Sequence, residues 1–194
     1  MSEYFGDVSV FSNPDTAFGK VAWLTGLSGA GKSTLARELE KGLRECGRPV
    51  VVLDGDELRR GLCAGLGYSP EDRAENIRRI AHVARLFLDS GFTVIVAVIS
   101  PLRANRAAAR EIIGPKNFLE IHVHCPLEVC RARDPKGLYA KADAGGVAGM
   151  TGLTAPYEPP LHPDLRVDTS LSTLEKEVDS VLNLLEGRGS AVQA

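Results

Sequence analysis

Residues 26–34 read Gly-Leu-Ser-Gly-Ala-Gly-Lys-Ser-Thr, a complete match to the phosphate-loop pattern G-x-x-x-x-G-K-[ST]. The pattern carries weight only between a strand and a helix, and the flanks supply both. Residues 21–25 (Val-Ala-Trp-Leu-Thr) suit a buried strand, and Leu35, Leu39 and Leu43 then recur at the spacing of one helical stripe. Gly26, Gly29 and Gly31 let backbone N–H groups wrap around phosphate oxygens at the positive end of the helix dipole. The stretch Gly26, Leu27, Ser28, Gly29, Ala30, Gly31, Lys32, Ser33 and Thr34 is therefore the candidate cradle for a nucleoside triphosphate. Lys32 is expected at the β- and γ-phosphates, and the Ser33 hydroxyl on Mg²⁺.

Working outward, residues 49–53 (Pro-Val-Val-Val-Leu), 92–99 (Phe-Thr-Val-Ile-Val-Ala-Val-Ile) and 118–124 read as further strands, with a short one at 165–167. Runs apolar on both faces point to parallel strands covered by helices. Ser69-Pro70-Glu71-Asp72 combines a capping serine, a first-turn proline and early acids, which start a long helix. Ile77, Ile80, Ala81, Ala84, Phe87 and Leu88 form its buried stripe and Gly91 ends it. Helices are also expected over 103–112, 127–133 and around Leu174, Val178, Val181, Leu182 and Leu185. The alternation is β-α throughout. Residues 134–163 lose periodicity and gain Gly, Pro, Lys and Tyr, which reads as a mobile lid of about 131–163. The expected organisation is an irregular segment over 1–19, one domain over 20–186 and a frayed tail over 187–194.

Composition narrows the function classes. With 194 residues, 44% hydrophobic and 25% charged, the chain can bury one substantial core. No apolar run reaches the roughly 18 to 20 residues of a spanning helix, and the first twenty residues lack the basic start and apolar centre of a signal peptide. No membrane association and a cytoplasmic location follow. A net charge of −2 gives no electrostatic reason to expect nucleic acid. Cys46, Cys63, Cys125 and Cys130 contain no C-x-x-C pair and suit reduced thiols. His122, His124, Cys125 and Cys130 resemble a zinc set, but strand alternation puts the histidines and Cys125 on opposite faces.

Ligands in an open α/β sheet bind beyond the carboxyl ends of its strands. Three segments fall there: the phosphate loop, Asp54-Gly55-Asp56 and Ser100-Pro101. A carboxylate pair facing a triphosphate can hold the Mg²⁺ hydration shell or take a proton from an attacking hydroxyl. Asp56 could equally cap the next helix. Arg59, Arg73 and Arg78 open from the same edge, with Arg73 and Asn76 on one helical face. Such arginines clamp anions, or form a solvated helix surface. Arg131, Arg133, Lys136, Tyr139 and Lys141 make the lid cationic, suited to closing over a transferring phosphoryl group and excluding water.

These residues together resemble the adenylylsulfate kinase family. The similarity runs from about residue 20 to 169. It is carried by the phosphate loop, Leu-Asp-Gly-Asp (53–56), Glu-Asp-Arg-Ala-Glu-Asn-Ile-Arg-Arg (71–79), Ile-Ser-Pro (99–101), Pro-Leu-Glu-Val-Cys (126–130), Arg-Asp-Pro-Lys-Gly-Leu-Tyr (133–139) and Ala-Pro-Tyr-Glu-Pro-Pro (155–160). The resemblance implies a P-loop NTPase-type three-layer αβα fold with a mainly parallel central sheet. It also implies transfer of the ATP γ-phosphoryl to the 3′-hydroxyl of adenosine 5′-phosphosulfate (APS), with Mg²⁺, by an enzyme that is commonly a homodimer. On this likeness Lys32, Asp54 and Ser100 form the catalytic set, with Ser33 and Asp54 toward the metal and Arg131 and Arg133 on the ATP side. Asp56, Arg59, Tyr68, Arg73, Asn76, Ile99, Ser100, Pro101, Lys136, Leu138 and Met150 would receive APS. The family serine matching Ser100 is often labelled a phosphoserine intermediate. In-line transfer between two bound nucleotides needs no covalent relay, so a hydrogen bond to substrate suffices for Ser100.

Three departures stand out: Glu57 where the family has Asn, Leu102 for a common Tyr, and Met150 for a Phe whose ring would stack on adenine. They leave open a P-loop kinase for another small acceptor, or a nucleotide-binding regulatory paralogue. A GTP-dependent switch is a further class, since Asp134-Pro-Lys-Gly137 fits D-x-x-G and Ala140-Lys-Ala-Asp143 nearly fits N-K-x-D. A switch needs those elements at the ends of separate strands, and here both fall within one loop.

Overall fold

The computed structural model describes residues 19–144 and 149–187. Of the expected irregular N-terminal segment and the tail, all but Gly19 and Gly187 lie outside these residues, as do lid positions 145–148. The elements are β1 (Val21–Thr25), α1 (Lys32–Glu45), β2 (Val50–Asp54), α2 (Gly55–Arg60), α3 (Pro70–Asp89), β3 (Thr93–Ala97), α4 (Arg103–Ile113), β4 (Phe118–His124), α5 (Leu127–Arg133), α6 (Leu138–Asp143), β5 (Leu165–Asp168) and α7 (Leu174–Leu185). The strands form one sheet in the order β2-β3-β1-β4-β5, and every neighbouring pair is parallel.

Strand alternation builds the three layers. Ala22 and Leu24 of β1 and Ile95 and Ala97 of β3 pack toward α1 and α7, against Leu35, Leu39, Leu43, Val181 and Leu185. Val21, Trp23, Val94 and Val96 face the other way, against Ile77, Ile80, Ala84, Ala109 and Ile113 of α3 and α4. A strand buried on both faces is what the continuous apolar runs encode. Ser69 caps α3 as its sequence predicts, its side chain accepting from the Asp72 N–H at 3.1 Å.

Two expectations need correction. The lid is not wholly irregular, because after the expected helix α5 a further helix, α6, occupies its first part and a parallel bridge joins Thr151 to Ala155. Six residues are too few to register a helical period, and α6 owes its start to Asp134, whose carboxylate accepts from the Tyr139 and Ala140 N–H groups at 3.1 and 3.0 Å. The cap of α2 is Asp54, not Asp56: its Oδ1 accepts from the Asp56 N–H at 2.9 Å.

Candidate active site

Sheet order positions the site. Strand β3 lies between β2 and β1, so the segment leaving β3 (99–101) emerges between the phosphate loop that follows β1 and the Asp54 carboxylate that ends β2. The loop is held tightly against its surroundings. A Cβ on Gly26 would lie 2.3 Å from the Val123 carbonyl oxygen, and Gly31 starts α1 at φ 96°, in the left-handed region that glycine tolerates.

The phosphate loop and its neighbours are compact. Lys32, 8% exposed, donates from Nζ to the Gly26 and Leu27 carbonyls at 2.9 and 2.7 Å, curled over its own loop. Burial, then the nearby Lys136 charge, pushes its pKa down from 10.5 to about 8. An anion at the loop would reverse that pressure. The Ser33 hydroxyl donates to Asp54 Oδ2 at 2.6 Å. Asp54 thus divides its oxygens, one fixing α2 and the other meeting the phosphate loop. Arg133 reaches the same edge, with Nη1 to Thr169 Oγ1 at 2.9 Å and Nη2 to the Thr169 carbonyl at 2.7 Å, while Thr169 Oγ1 donates to the Ala30 carbonyl at 3.1 Å. Arg131 instead pairs with Asp143 at 2.8 Å on an exposed surface.

The residues expected to receive the acceptor gather around Tyr68. The Arg59 guanidinium lies 4.4 Å from the ring centroid and that of Arg73 5.5 Å. Arg59 donates to the Leu66 and Gly67 carbonyls, both at 3.1 Å. Arg73 bridges to the lid's return, donating to the Gly149 carbonyl at 2.7 Å and to Thr151 Oγ1 at 3.1 Å. Burial, then Arg59, lowers the Arg73 pKa. Asn76 is 7% exposed, and its Oδ1 has no partner among the described residues. An orphaned buried acceptor, three residues along α3 from Arg73, is an unmet demand for a donor. Asp56 forms an ion pair with Lys136, linking α2 to the lid. An open cleft of about 470 Å³, lined by Leu27 and 152–157, separates the loop from the return segment.

Several expected roles shift in position. Arg78 does not converge: it is paired with Glu75 at 2.7 Å on the solvated face of α3. Met150 is buried at 7% in the core with Ala30 and Cys130, and Leu138 packs against the same cluster. Neither is an open stacking surface. Ser100 is 2% exposed, has φ 39°, and accepts the Trp23 indole N–H on Oγ at 3.1 Å. Ile99 and Pro101 hold the same segment: the Ile99 carbonyl accepts from Thr25 Oγ1 at 2.7 Å and that of Pro101 from the Glu158 N–H at 2.9 Å.

Sequence reading missed the contacts of five side chains. Tyr139, placed in the cationic lid, is 2% exposed and donates its hydroxyl to the Ser28 carbonyl at 3.0 Å, pinning α6 to the phosphate loop. Thr25 and Tyr157 meet at 3.1 Å below the cleft. Arg106, taken only as part of a helix, is 2% exposed and paired with Glu120. A threonine ending a strand and a tyrosine between prolines were the available signals; Arg106 had none. His122 stacks on Tyr157 with centroids 6.1 Å apart, and burial pushes its pKa down to about 4. Among the described residues no three His, Cys, Asp or Glu side chains converge as a metal site.

The chain matches known proteins over most of its length. The family model described as adenylylsulphate kinase matches residues 18–168. The adenylyl-sulfate kinase of Paraburkholderia xenovorans is 56% identical over 166 residues, covering 86% of this chain and 92% of the relative, and that of Marinobacter nauticus is 49% identical, covering 86% and 83%. The solved Mycobacterium tuberculosis APS kinase CysC, in complex with AMPPNP and APS, superposes with a TM-score of 0.84 at 48% identity, covering 87% of this chain and 98% of that one. A hexameric APS kinase from Thiobacillus denitrificans matches at TM-score 0.66 and 36% identity, over 88% of this chain and 29% of that one. The chain belongs to the adenylylsulfate kinase family.

Proposed function

We propose that this chain transfers the γ-phosphoryl of ATP to the 3′-hydroxyl of APS, giving 3′-phosphoadenosine 5′-phosphosulfate and ADP. The observation that carries the reading is the Asp54 carboxylate. It contacts the Ser33 hydroxyl of the phosphate loop at 2.6 Å and ends the strand whose following helix carries Arg59. A donor nucleotide on the loop and an acceptor nucleotide at the arginines then meet at one carboxylate.

In this reading Gly26 to Thr34 cradle the ATP phosphates, Lys32 leaves its two carbonyls for the β- and γ-oxygens, and Arg133, with Arg131 at the lid's outer face, covers the nucleotide. Asp54 orients the 3′-hydroxyl and takes its proton. Arg59, Arg73 and Lys136 balance the charge of the phosphosulfate, Asp56 sets Lys136, and Asn76 receives a donor from the ligand. Tyr68 offers its face to the adenine, the 99–101 segment forms the floor, and Leu138 and Met150 back it from the core. Ser33 and Asp54 present a hydroxyl and a carboxylate oxygen, the hard donors Mg²⁺ takes. When bound, the ion neutralises charge on the transferring phosphoryl.

We further propose a homodimer working in the cytoplasm. Supporting the latter, Cys63, Cys125 and Cys130 are buried free thiols. The testing experiment is ADP release from Mg²⁺ATP with APS, adenosine 5′-phosphate or no acceptor. Release dependent on APS supports the reading; equal release with adenosine 5′-phosphate refutes the acceptor.

A further inference from the structure

We propose that Arg106 is a positioning residue for the acceptor nucleotide, holding the floor of the site through the Ser100 carbonyl; this rests on the kinase reading above. Arg106 projects from α4 and is 2% exposed, with its three guanidinium nitrogens used on three separate segments. Nε donates to Glu120 Oε1 of β4 at 2.5 Å, Nη1 to the Ser100 carbonyl at 2.7 Å and Nη2 to the Glu158 carbonyl at 2.8 Å.

What it holds needs holding. Ser100 has φ 39°, a conformation that a residue with a side chain keeps only when its surroundings impose it. Its carbonyl faces the buried guanidinium, its Oγ meets the Trp23 indole, and its neighbour Ile99 is tied to Thr25. Glu158 joins the same node from the lid's return: its Oε2 accepts from the Arg103 N–H at 2.8 Å, its N–H donates to the Pro101 carbonyl, and its own carbonyl goes to Arg106. One planar cation therefore fixes the 99–101 floor relative to the return segment that Arg73 clamps from the other side. The guanidinium fork suits this task, because a lysine could not present donors in three fixed directions.

A purely structural reading is available: Arg106 could serve only to neutralise the 15% exposed Glu120. Removing both charges separates the two. Arg106→Met alone leaves a part-buried carboxylate unpaired, whereas Arg106→Met with Glu120→Met removes the pair, an exchange that is often neutral or stabilising. In the double variant the Ser100 and Glu158 carbonyls lose the guanidinium, so we expect a melting temperature lowered by several degrees, a KM for APS raised at least about tenfold, which is about 1.4 kcal/mol, and a KM for ATP changed less than about twofold. The sole tryptophan, Trp23, should also shift its emission as Ser100 moves off the indole. Wild-type KM for APS together with wild-type emission would overturn the proposal and leave Arg106 a counter-ion. The emission needs no turnover, so it decides the positioning claim even if the wild-type protein failed to phosphorylate APS, an outcome that would refute the kinase reading instead.

Discussion

Replacing Lys32 by methionine should abolish phosphoryl transfer and yet make the nucleotide-free protein more stable. The lysine is buried, and its pKa falls from 10.5 to about 8. At about 1.36 kcal/mol per tenfold change in proton affinity, keeping the ammonium charged costs the folded state about 3 kcal/mol at neutral pH. Methionine removes that cost but gives up the hydrogen bonds to Gly26 and Leu27, which offset about 1 to 2 kcal/mol. The net gain is about 1 to 2 kcal/mol, or about 2 to 8 °C in melting temperature for a domain of this size. The sign fixes the pH dependence. Between pH 8 and 10.5 the unfolded chain binds more protons at this residue than the folded one, so wild-type stability rises through that window. The advantage of Lys32→Met should therefore be full below pH 8 and disappear toward pH 10.5. Thermal melts of both proteins from pH 7 to 10, with and without ATP, measure this. ATP should raise the wild-type melt more than the variant's. A less stable variant without nucleotide at pH 7 would show that Lys32 is held by its carbonyls and carries no stored cost.

The remaining predictions are direct. Asp54→Asn keeps a side chain able to cap α2 but loses the base, so kcat should fall about 100-fold or more with KM for ATP nearly unchanged; steady-state kinetics with unchanged kcat would remove the base role. Ser100→Ala strands the Trp23 indole N–H, which should cost about 1 to 3 kcal/mol of stability, while transfer persists within about tenfold and intact-protein mass shows no phosphoserine in the wild type during turnover. Met150→Phe enlarges a side chain already in the core, so it should cost about 1 to 3 kcal/mol and leave KM for APS within about twofold; tighter APS binding would show that position 150 reaches the adenine after all.

What the sequence disclosed follows from how local each signal is. The phosphate loop, the Ser69 cap and the stripe along α3 are written in consecutive residues, and all three stand where their spacing puts them. Asp54 stands out because it follows a buried strand at the phosphate-loop edge, and the structure puts it on Ser33 while it also caps α2. Sheet order was not legible: nothing in consecutive residues says that β3 lies between β2 and β1, and this placement is what brings 99–101 against the phosphate loop. Charge misled at both extremes. Arg78 resembled a ligand and pairs with Glu75 in solvent, whereas Arg106 resembled one more surface arginine and is buried at a junction of three segments. Tyr139 was grouped with lid cations because six helical residues are too few to reveal which face they bury.

The most direct test of the account follows the phosphoryl group itself. The purified protein is incubated with ATP labelled with ¹⁸O in its γ-phosphoryl, Mg²⁺ and APS, and the nucleotide product is identified by mass and by its ³¹P resonance. The account predicts an APS nucleotide heavier by one labelled phosphoryl group and bearing a 3′-phosphomonoester, formed together with ADP. Labelled inorganic phosphate with APS unchanged would mean hydrolysis without transfer, and would contradict it.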